Sequence, residues 1–219
     1  EHDVYNNTVP GELLIALAGL EIESSEASDF YKNLSLKELK QALRYLAKEL
    51  NGFPNWLENI YKYFPTQTLE AIKNELIWEL EHTEPDRQLH YVLHNLTYYA
   101  PWIHKDLAPV ILNWLISKPE KIYIYPEYCI KIMLGGNLAP EHLIKLIKRE
   151  VSREQPIANK ARWFALWVDC KADEAISIVE GWLNKMSYEE AKLSAEIFIT
   201  ELVGDRRGSR LSRCYAGPP

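Results

Sequence analysis

Apolar positions along this chain follow a helical spacing, and the pattern recurs about every 35 residues. The clearest instance lies in residues 86–118, where Pro101 separates two apolar stripes. The two stripes consist of Leu89, Val92, Leu93 and Leu96, followed by Leu107, Val110, Ile111, Trp114 and Leu115. A period of about 3.6 residues in both stripes is typical of amphipathic helices. The segment therefore predicts a pair of short helices.

Four successive segments carry an apolar or aromatic side chain at an equivalent position of their first helix. These residues are Trp56, Val92, Tyr128 and Trp163, which are 36, 36 and 35 residues apart. A single helix pair cannot cover its own apolar faces, so neighbouring pairs stack to form a continuous core. We therefore predict an all-α fold, a HEAT-like α-solenoid of roughly four to five antiparallel helix pairs in a right-handed superhelix. An irregular helical bundle is the alternative.

The predicted domain is a single solenoid over residues 1–203, with repeats at about 53–85, 86–119, 120–153 and 154–186. Helices at 9–20 and 35–50 precede the repeats, and a helix at 187–203 closes them. Ser35 with Glu38, and Ser187 with Glu190, have the S-x-x-E spacing of a capping box. The acidic residues and serines of 21–29 predict an exposed connection. Residues 204–219 predict a flexible basic tail or a truncated next repeat.

Composition favours a folded, non-membrane chain. Apolar residues make up 47% and charged residues 26%, which differs from the composition of disordered chains. A net charge of −6 weighs against nucleic acid, whose phosphates are neutralised by Lys and Arg. No apolar run approaches the length of about eighteen residues that a membrane span needs.

Three widely separated cysteines, Cys129, Cys170 and Cys214, form no CxxC pair. This odd number predicts neither a disulfide framework nor a zinc finger, and it favours a reducing, cytoplasmic location. The first residues, Glu1-His2-Asp3, lack the layout of a signal peptide. We therefore expect a piece of a longer chain.

The chain carries no convincing catalytic signature. His90 and His94 are four residues apart and could face one metal, with His82 or His104 as a third ligand. No Glu follows His90, however, so the H-E-x-x-H signature is absent. A phosphate-binding G-x-x-x-x-G-K-[ST] loop is also absent. We therefore predict no enzymatic activity, no metal and no cofactor.

Two sets of charged or polar residues are candidates for binding. In a solenoid, the second helix of each pair would line a concave surface. The charged or polar residues whose positions on these second helices would face the concave side are Glu75, Glu79, Lys105, Asn113, Lys145 and Lys148. A basic cluster in the tail, which could meet nucleic acid or an acidic partner, consists of Arg206, Arg207, Arg210 and Arg213.

Tyrosines form a third candidate set, because a surface tyrosine is a common interface anchor. Those near predicted helix ends and loops are Tyr61, Tyr63, Tyr98, Tyr99, Tyr123 and Tyr125. Packing between repeats is the alternative use for these side chains.

Several short runs resemble the helical-repeat regions of large bacterial NACHT/STAND-type NTPases. They are Tyr98-Tyr99-Ala100-Pro101-Trp102, Leu107-Ala108-Pro109, Trp163-Phe164-Ala165-Leu166-Trp167 and Glu201-Leu202-Val203-Gly204-Asp205-Arg206-Arg207. In that family an effector and an ATPase core precede a long α-solenoid that senses a ligand. The ATPase motifs are missing from this chain, so the resemblance implies only the recognition role of the solenoid.

These observations predict a non-catalytic protein–protein recognition or sensor scaffold, a fragment of a larger bacterial multidomain protein. Its expected partner is another protein or a neighbouring domain of the same chain, and no membrane is expected. Two alternatives stay open. One is a HEAT-like DNA-binding protein or DNA glycosylase, and the other is a passive structural spacer.

Overall fold

The computed structural model describes residues 11–26, 29–48, 52–82, 91–118 and 126–203. Every regular element in these ranges is a helix, so the all-α prediction is confirmed. A 3-10 turn, Pro101–Ile103, accompanies the α-helices. These are α1 Gly11–Glu26, α2 Phe30–Asn33, α3 Leu36–Leu43, α4 Trp56–Tyr63, α5 Pro65–His82, α6 Tyr91–Tyr99, α7 His104–Ser117, α8 Pro126–Gly135, α9 Pro140–Ser152, α10 Ile157–Leu183 and α11 Tyr188–Val203.

The helices divide into two compact units. The first unit contains α1 to α6 and extends to Trp102, and the second begins at Ile103 and contains α7 to α11. This division falls inside the predicted repeat 86–119. Helices are present in the segments where the spacing predicts the helix pairs. The stacking of these pairs as a solenoid stays a prediction.

The first unit has its core where α4, α5 and α6 pack together. Its fully buried side chains lie at the spacing that predicted the helices, for example Trp56, Leu57, Ile60, Ile72, Leu76, Leu93 and Leu96. Because each helix contributes one apolar stripe to the same interior, burial at this spacing is the main stabilising term. On α5 the buried Ile72, Leu76 and Leu80 are four residues apart, so they form one stripe.

Helix α3 is shorter than the predicted helix 35–50. The Ser35–Glu38 capping box is confirmed, since the Glu38 amide donates to Ser35 Oγ at 3.3 Å and the Ser35 amide donates to Glu38 Oε2 at 2.8 Å. The helix ends at Leu43, and turns with i to i+3 hydrogen bonds follow as far as Lys48. Leu46 is still buried, so the apolar spacing continues where the α-helix does not.

Helix α1 is longer than predicted, because it continues through the acidic residues to Glu26. The predicted connection at 21–29 is therefore wrong for residues 21–26, which are helical, although the predicted exposure is found at Ile22, Glu23, Ser25 and Glu26. Ser24 Oγ donates to the Glu21 carbonyl at 3.0 Å, and Ser25 Oγ donates to the Ile22 carbonyl at 2.8 Å. These bonds let serines, which often favour turns, remain inside the helix.

In the second unit, α8 packs on α7, and α10 packs on both α9 and α11. Trp163 and Trp167, four residues apart on α10, are both buried. Lys171 interrupts α10 with non-helical backbone angles, φ −160° and ψ 75°, between the two predicted helices of the fourth repeat. The closing helix α11 begins with the predicted capping box, in which the Ser187 amide donates to Glu190 Oε2 at 3.1 Å.

In the second unit, Arg149 pairs with the buried Glu150 on the same helix, α9, and also joins α9 to α7 through hydrogen bonds. Glu150 is fully buried, and Arg149 Nε donates to its Oε1 at 2.6 Å. The remaining guanidinium nitrogens of Arg149 donate to the carbonyls of Leu115 at 2.8 Å and Ile116 at 3.2 Å. Arg149 therefore satisfies carbonyls at the end of α7 that the helix itself leaves open.

Candidate interaction surface

The six residues of the predicted concave surface divide between the two units. Glu75 and Glu79 lie on α5 in the first unit, where both are half-buried. The other four lie in the second unit with exposed side chains; they are Lys105, Asn113, Lys145 and Lys148. The basic cluster at Arg206, Arg207, Arg210 and Arg213 lies outside the described residues.

Lys148 is engaged within the second unit. Its Nζ forms an ion pair with Glu174 on α10 and lies 5.6 Å from the ring centroid of Trp167. Lys171 pairs with the same carboxylate at 3.0 Å. Hydrogen bonds from Lys148 and Lys171 lower the pKa of Glu174. Lys148 thus ties α9 to α10, next to the interruption at Lys171.

Glu79 holds the beginning of α6. Its Oε1 accepts the Val92 amide at 2.9 Å and its Oε2 accepts the Leu93 amide at 2.7 Å, which satisfies two amides that a helix start leaves open. Burial raises the pKa of this carboxyl, the amides of Leu93, Val92 and Tyr91 oppose that shift, and the charge of Glu75 adds to it. The side chain therefore serves as a helix cap supplied by α5.

This raised pKa predicts a specific pH dependence of stability. Because the pKa of Glu79 is raised in the folded state, protonation of its carboxyl stabilises the fold. This stabilisation is fully present below the ordinary carboxyl pKa of 4.5, and it is lost as the pH rises through the pKa of the folded state. Glu79→Gln removes this titration. We expect the natural chain to lose stability relative to Glu79→Gln as the pH rises above 4.5. The measurement is the difference between their free energies of unfolding, natural chain minus variant, obtained by urea denaturation. A difference that rises with pH would contradict the assignment, and Glu70→Gln on the same helix is the matched control.

Two further contacts fix α6 on the first unit. The buried Asn95 donates from Nδ2 to the Gly52 carbonyl at 3.1 Å. Gly52 has φ +113°, a conformation that favours glycine, and an added Cβ there would lie 3.3 Å from Cγ of Tyr99. Helix α6 is thus attached near its beginning, its middle and its end.

The solvent side of α6 carries an aromatic face, defined here as Tyr91, His94, Tyr98 and Tyr99. The three tyrosines are 51%, 50% and 55% exposed. The His94 ring lies 4.9 Å from the Tyr98 ring and 5.9 Å from the Tyr99 ring, measured between centroids. Tyrosine offers a large apolar contact area and a polar hydroxyl, so this face can anchor a partner and hydrogen-bond to it.

The other predicted tyrosines have varied surroundings. Tyr61 packs on Trp102 with ring centroids 5.1 Å apart, and Tyr63 stacks on Tyr31 at 6.3 Å. Tyr123 and Tyr125 lie outside the described residues. The sequence reasoning selected Tyr98 and Tyr99 but missed Tyr91 and the role of His94. The spacing of Tyr91, His94 and Tyr98, which is three and then four residues, was the available signal.

The histidines considered as metal ligands have separate surroundings. His82 stacks on Trp78, His94 belongs to the aromatic face, and His104 is buried; His90 lies outside the described residues. Over the described ranges, no three His, Cys, Asp or Glu side chains are grouped to hold a metal ion. Burial raises the pKa of the Cys129 thiol to about 12, so it remains protonated and unreactive.

Comparisons with protein families, curated proteins and solved structures found no match to the chain. Among the helices described, none has both the length and the apolar composition needed to cross a membrane. Function is therefore inferred from the chain's own residues, and the aromatic face of α6 is the surface on which that inference rests.

Proposed function

We propose that the chain is a non-catalytic protein-recognition or sensor scaffold, and that the aromatic face of α6 contacts the partner. The observation that carries the proposal is the set of three half-exposed tyrosines on one helix, of which Tyr98 and Tyr99 lie beside the His94 ring. Such side chains are enriched where protein interfaces are most strongly stabilised. A surface of this kind on a monomer commonly marks an interaction site.

The attachment of α6 supports the same role. Glu79, Asn95 and Gly52 hold the helix to the first unit, so its aromatic rings project from a fixed backbone. A preorganised surface loses less conformational freedom on binding, and more of the contact energy then contributes to affinity. The contacts of Glu79, Asn95 and Gly52 therefore hold α6 in a fixed position, as a binding scaffold requires.

A protein partner is favoured over nucleic acid by charge. The sequence of α6, YVLHNLTYY, contains no Lys or Arg, and the chain has a net charge of −6. Nucleic-acid binding depends on cations that neutralise phosphates. The aromatic face therefore offers stacking and hydrogen bonding without the required positive charge.

The wider setting of this scaffold is part of the proposal. The recurrence of helix pairs at intervals of 35 to 36 residues supports a HEAT-like, right-handed solenoid. The resemblance of its runs to NACHT/STAND-type repeat regions supports a sensor segment of a larger bacterial, cytoplasmic protein. Exposed Lys105, Asn113 and Lys145 are proposed as secondary contacts in the second unit.

Affinity capture from extracts of the source cells, with and without nuclease, tests the class of partner. We expect a protein that is retained after nuclease treatment and is lost when Tyr91→Ser and Tyr98→Ser are combined. Tyr188→Ser is the control, because Tyr188 is 79% exposed on α11 in the other unit. Recovery of nucleic acid that is released by salt would instead support the DNA-binding alternative.

A further inference from the structure

The first unit contains an acid-rimmed groove between α1, α2 and α3, with a volume of about 610 Å³. Sites for small organic molecules are typically concave, mainly apolar and roughly 300 to 1,000 Å³ in volume. The floor of this groove consists of buried or half-buried apolar and aromatic side chains, namely Ala16, Leu20, Phe30, Leu34, Ala42 and Tyr45. Its size and floor therefore suit a small organic ligand.

Three carboxylates lie at the exposed rim of the groove. They belong to Glu23 on α1, Asp29 before α2 and Glu38 on α3. Hydrogen bonds with Ser35 in the capping box, and to a smaller extent the charge of Lys37, lower the pKa of Glu38. The Glu38 carboxylate therefore remains charged at neutral pH while it caps α3.

Only part of this negative charge is compensated. Lys32 pairs with Asp29 at 3.4 Å, whereas Glu23 has no ion-pair partner among the described residues. The described residues that line the groove include no Lys, Arg or His. The carboxylates are also not grouped closely enough to hold a metal ion. Their arrangement therefore favours an organic cation, whose apolar part can use the floor between them.

We propose that the acid-rimmed groove binds a small primary amine with an aromatic or branched aliphatic body. The body would lie against the rings of Phe30 and Tyr45, and the ammonium group would lie near Glu23 and Glu38. Phe30 packs edge-on against Tyr31 with ring centroids 5.2 Å apart, which holds its ring in place. Carboxylates and aromatic faces both attract a cation, and the same rim repels an anion.

Gly19 allows the groove to be filled without a clash. It lines the groove on α1, and an added Cβ would meet no atom within 4 Å. Glycine is also unfavourable inside a helix, so Gly19→Leu should remain folded while its side chain occupies the space of the ligand. Gly181→Leu on α10 is the matched control, because an added Cβ there likewise meets no atom within 4 Å.

A nuclear magnetic resonance titration of the full chain with phenethylamine tests the proposal. We expect saturable shifts in the amide signals of lining residues such as Leu20 and Ala42. The affinity for phenethylamine should be at least about tenfold higher than that for 3-phenylpropanoate, which carries a carboxylate on a similar body. Gly19→Leu should abolish the binding of phenethylamine, and Gly181→Leu should bind it as tightly as the natural chain does.

Glu23→Gln separates the effect of charge from that of space. It should weaken the binding of phenethylamine about threefold, as expected for the loss of one exposed ion pair. Glu12→Gln on the same helix is the control, because position 12 lies roughly 16 Å away along α1, beyond the Debye length of about 8 Å at physiological ionic strength.

Four results would overturn the proposal: no saturable shift with phenethylamine, equal affinity for the amine and the carboxylate, binding that survives Gly19→Leu, or equal effects of Glu23→Gln and Glu12→Gln. None of these results bears on the aromatic face of α6, so the two proposals can fail separately.

Discussion

Gly136→Ala is expected to lower the free energy of unfolding by about 3 kcal/mol, because it forces atoms into a closely packed contact. The residue follows α8 directly and is buried against α7. An added Cβ would lie 2.5 Å from the carbonyl oxygen of His104 and closer still to Cβ of Ala108. Backbone atoms of a helix cannot rotate away, so α7 and α8 would have to separate. Urea denaturation measures the change.

Gly181→Ala is the matched control for this substitution. Gly181 lies in α10 of the same unit, and an added Cβ would meet no atom within 4 Å. Alanine also restricts the unfolded chain more than glycine does, so this variant should gain up to about 1 kcal/mol of stability. Opposite signs for the two variants would show that close approach, and not loss of glycine as such, destabilises Gly136→Ala. A neutral Gly136→Ala would contradict the contact between α7 and α8.

Arg149→Met is expected to cost about 3 kcal/mol, because it leaves the carboxylate of Glu150 buried without its closest partner. Glu150 is fully buried, and after the change Arg153 still lies near it, with Nη1 at 3.6 Å from Oε2. The carbonyls of Leu115 and Ile116 also lose their donors. Urea denaturation again gives the change in unfolding free energy.

The double variant Arg149→Met/Glu150→Met separates the ion pair from simple packing. Replacing both partners removes the uncompensated charge, so the double variant should be more stable than Arg149→Met alone. A double-mutant cycle should give a coupling of about 2 kcal/mol. If the effects of Arg149→Met and Glu150→Met add without coupling, the two side chains do not stabilise one another as described.

The sequence predicted the helices well because their signal is local. Apolar spacing located α6 and α7, and S-x-x-E placed the beginnings of α3 and α11. The ends were harder to predict. At Leu46 burial continues after the α-helix stops, and the acidic residues after Leu20 resemble a linker although they are helical. Apolar spacing reports burial, and only indirectly the backbone hydrogen bonds that define a helix end.

The candidate site was only partly predictable, because its supporting contacts are distant in sequence. Glu79 had the phase of a concave-surface residue, but its carboxylate meets the amides of Val92 and Leu93 on another helix. Likewise, the contact between Gly52 and Tyr99 joins residues that no local pattern relates. The sequence therefore allows a role to be assigned only from the position of each residue on its predicted helix. The partners of that residue in the folded chain depend on tertiary packing.

The affinity of the captured partner for the chain and its variants tests the proposed recognition role most directly. Isothermal titration should show that combining Tyr91→Ser with Tyr98→Ser weakens binding by about 2 kcal/mol or more, roughly thirtyfold, as for central anchors of an interface. Tyr188→Ser should bind as tightly as the natural chain. Equal affinity for the natural chain and the α6 variant, or a loss confined to Tyr188→Ser, would contradict the assignment of the aromatic face as the binding surface.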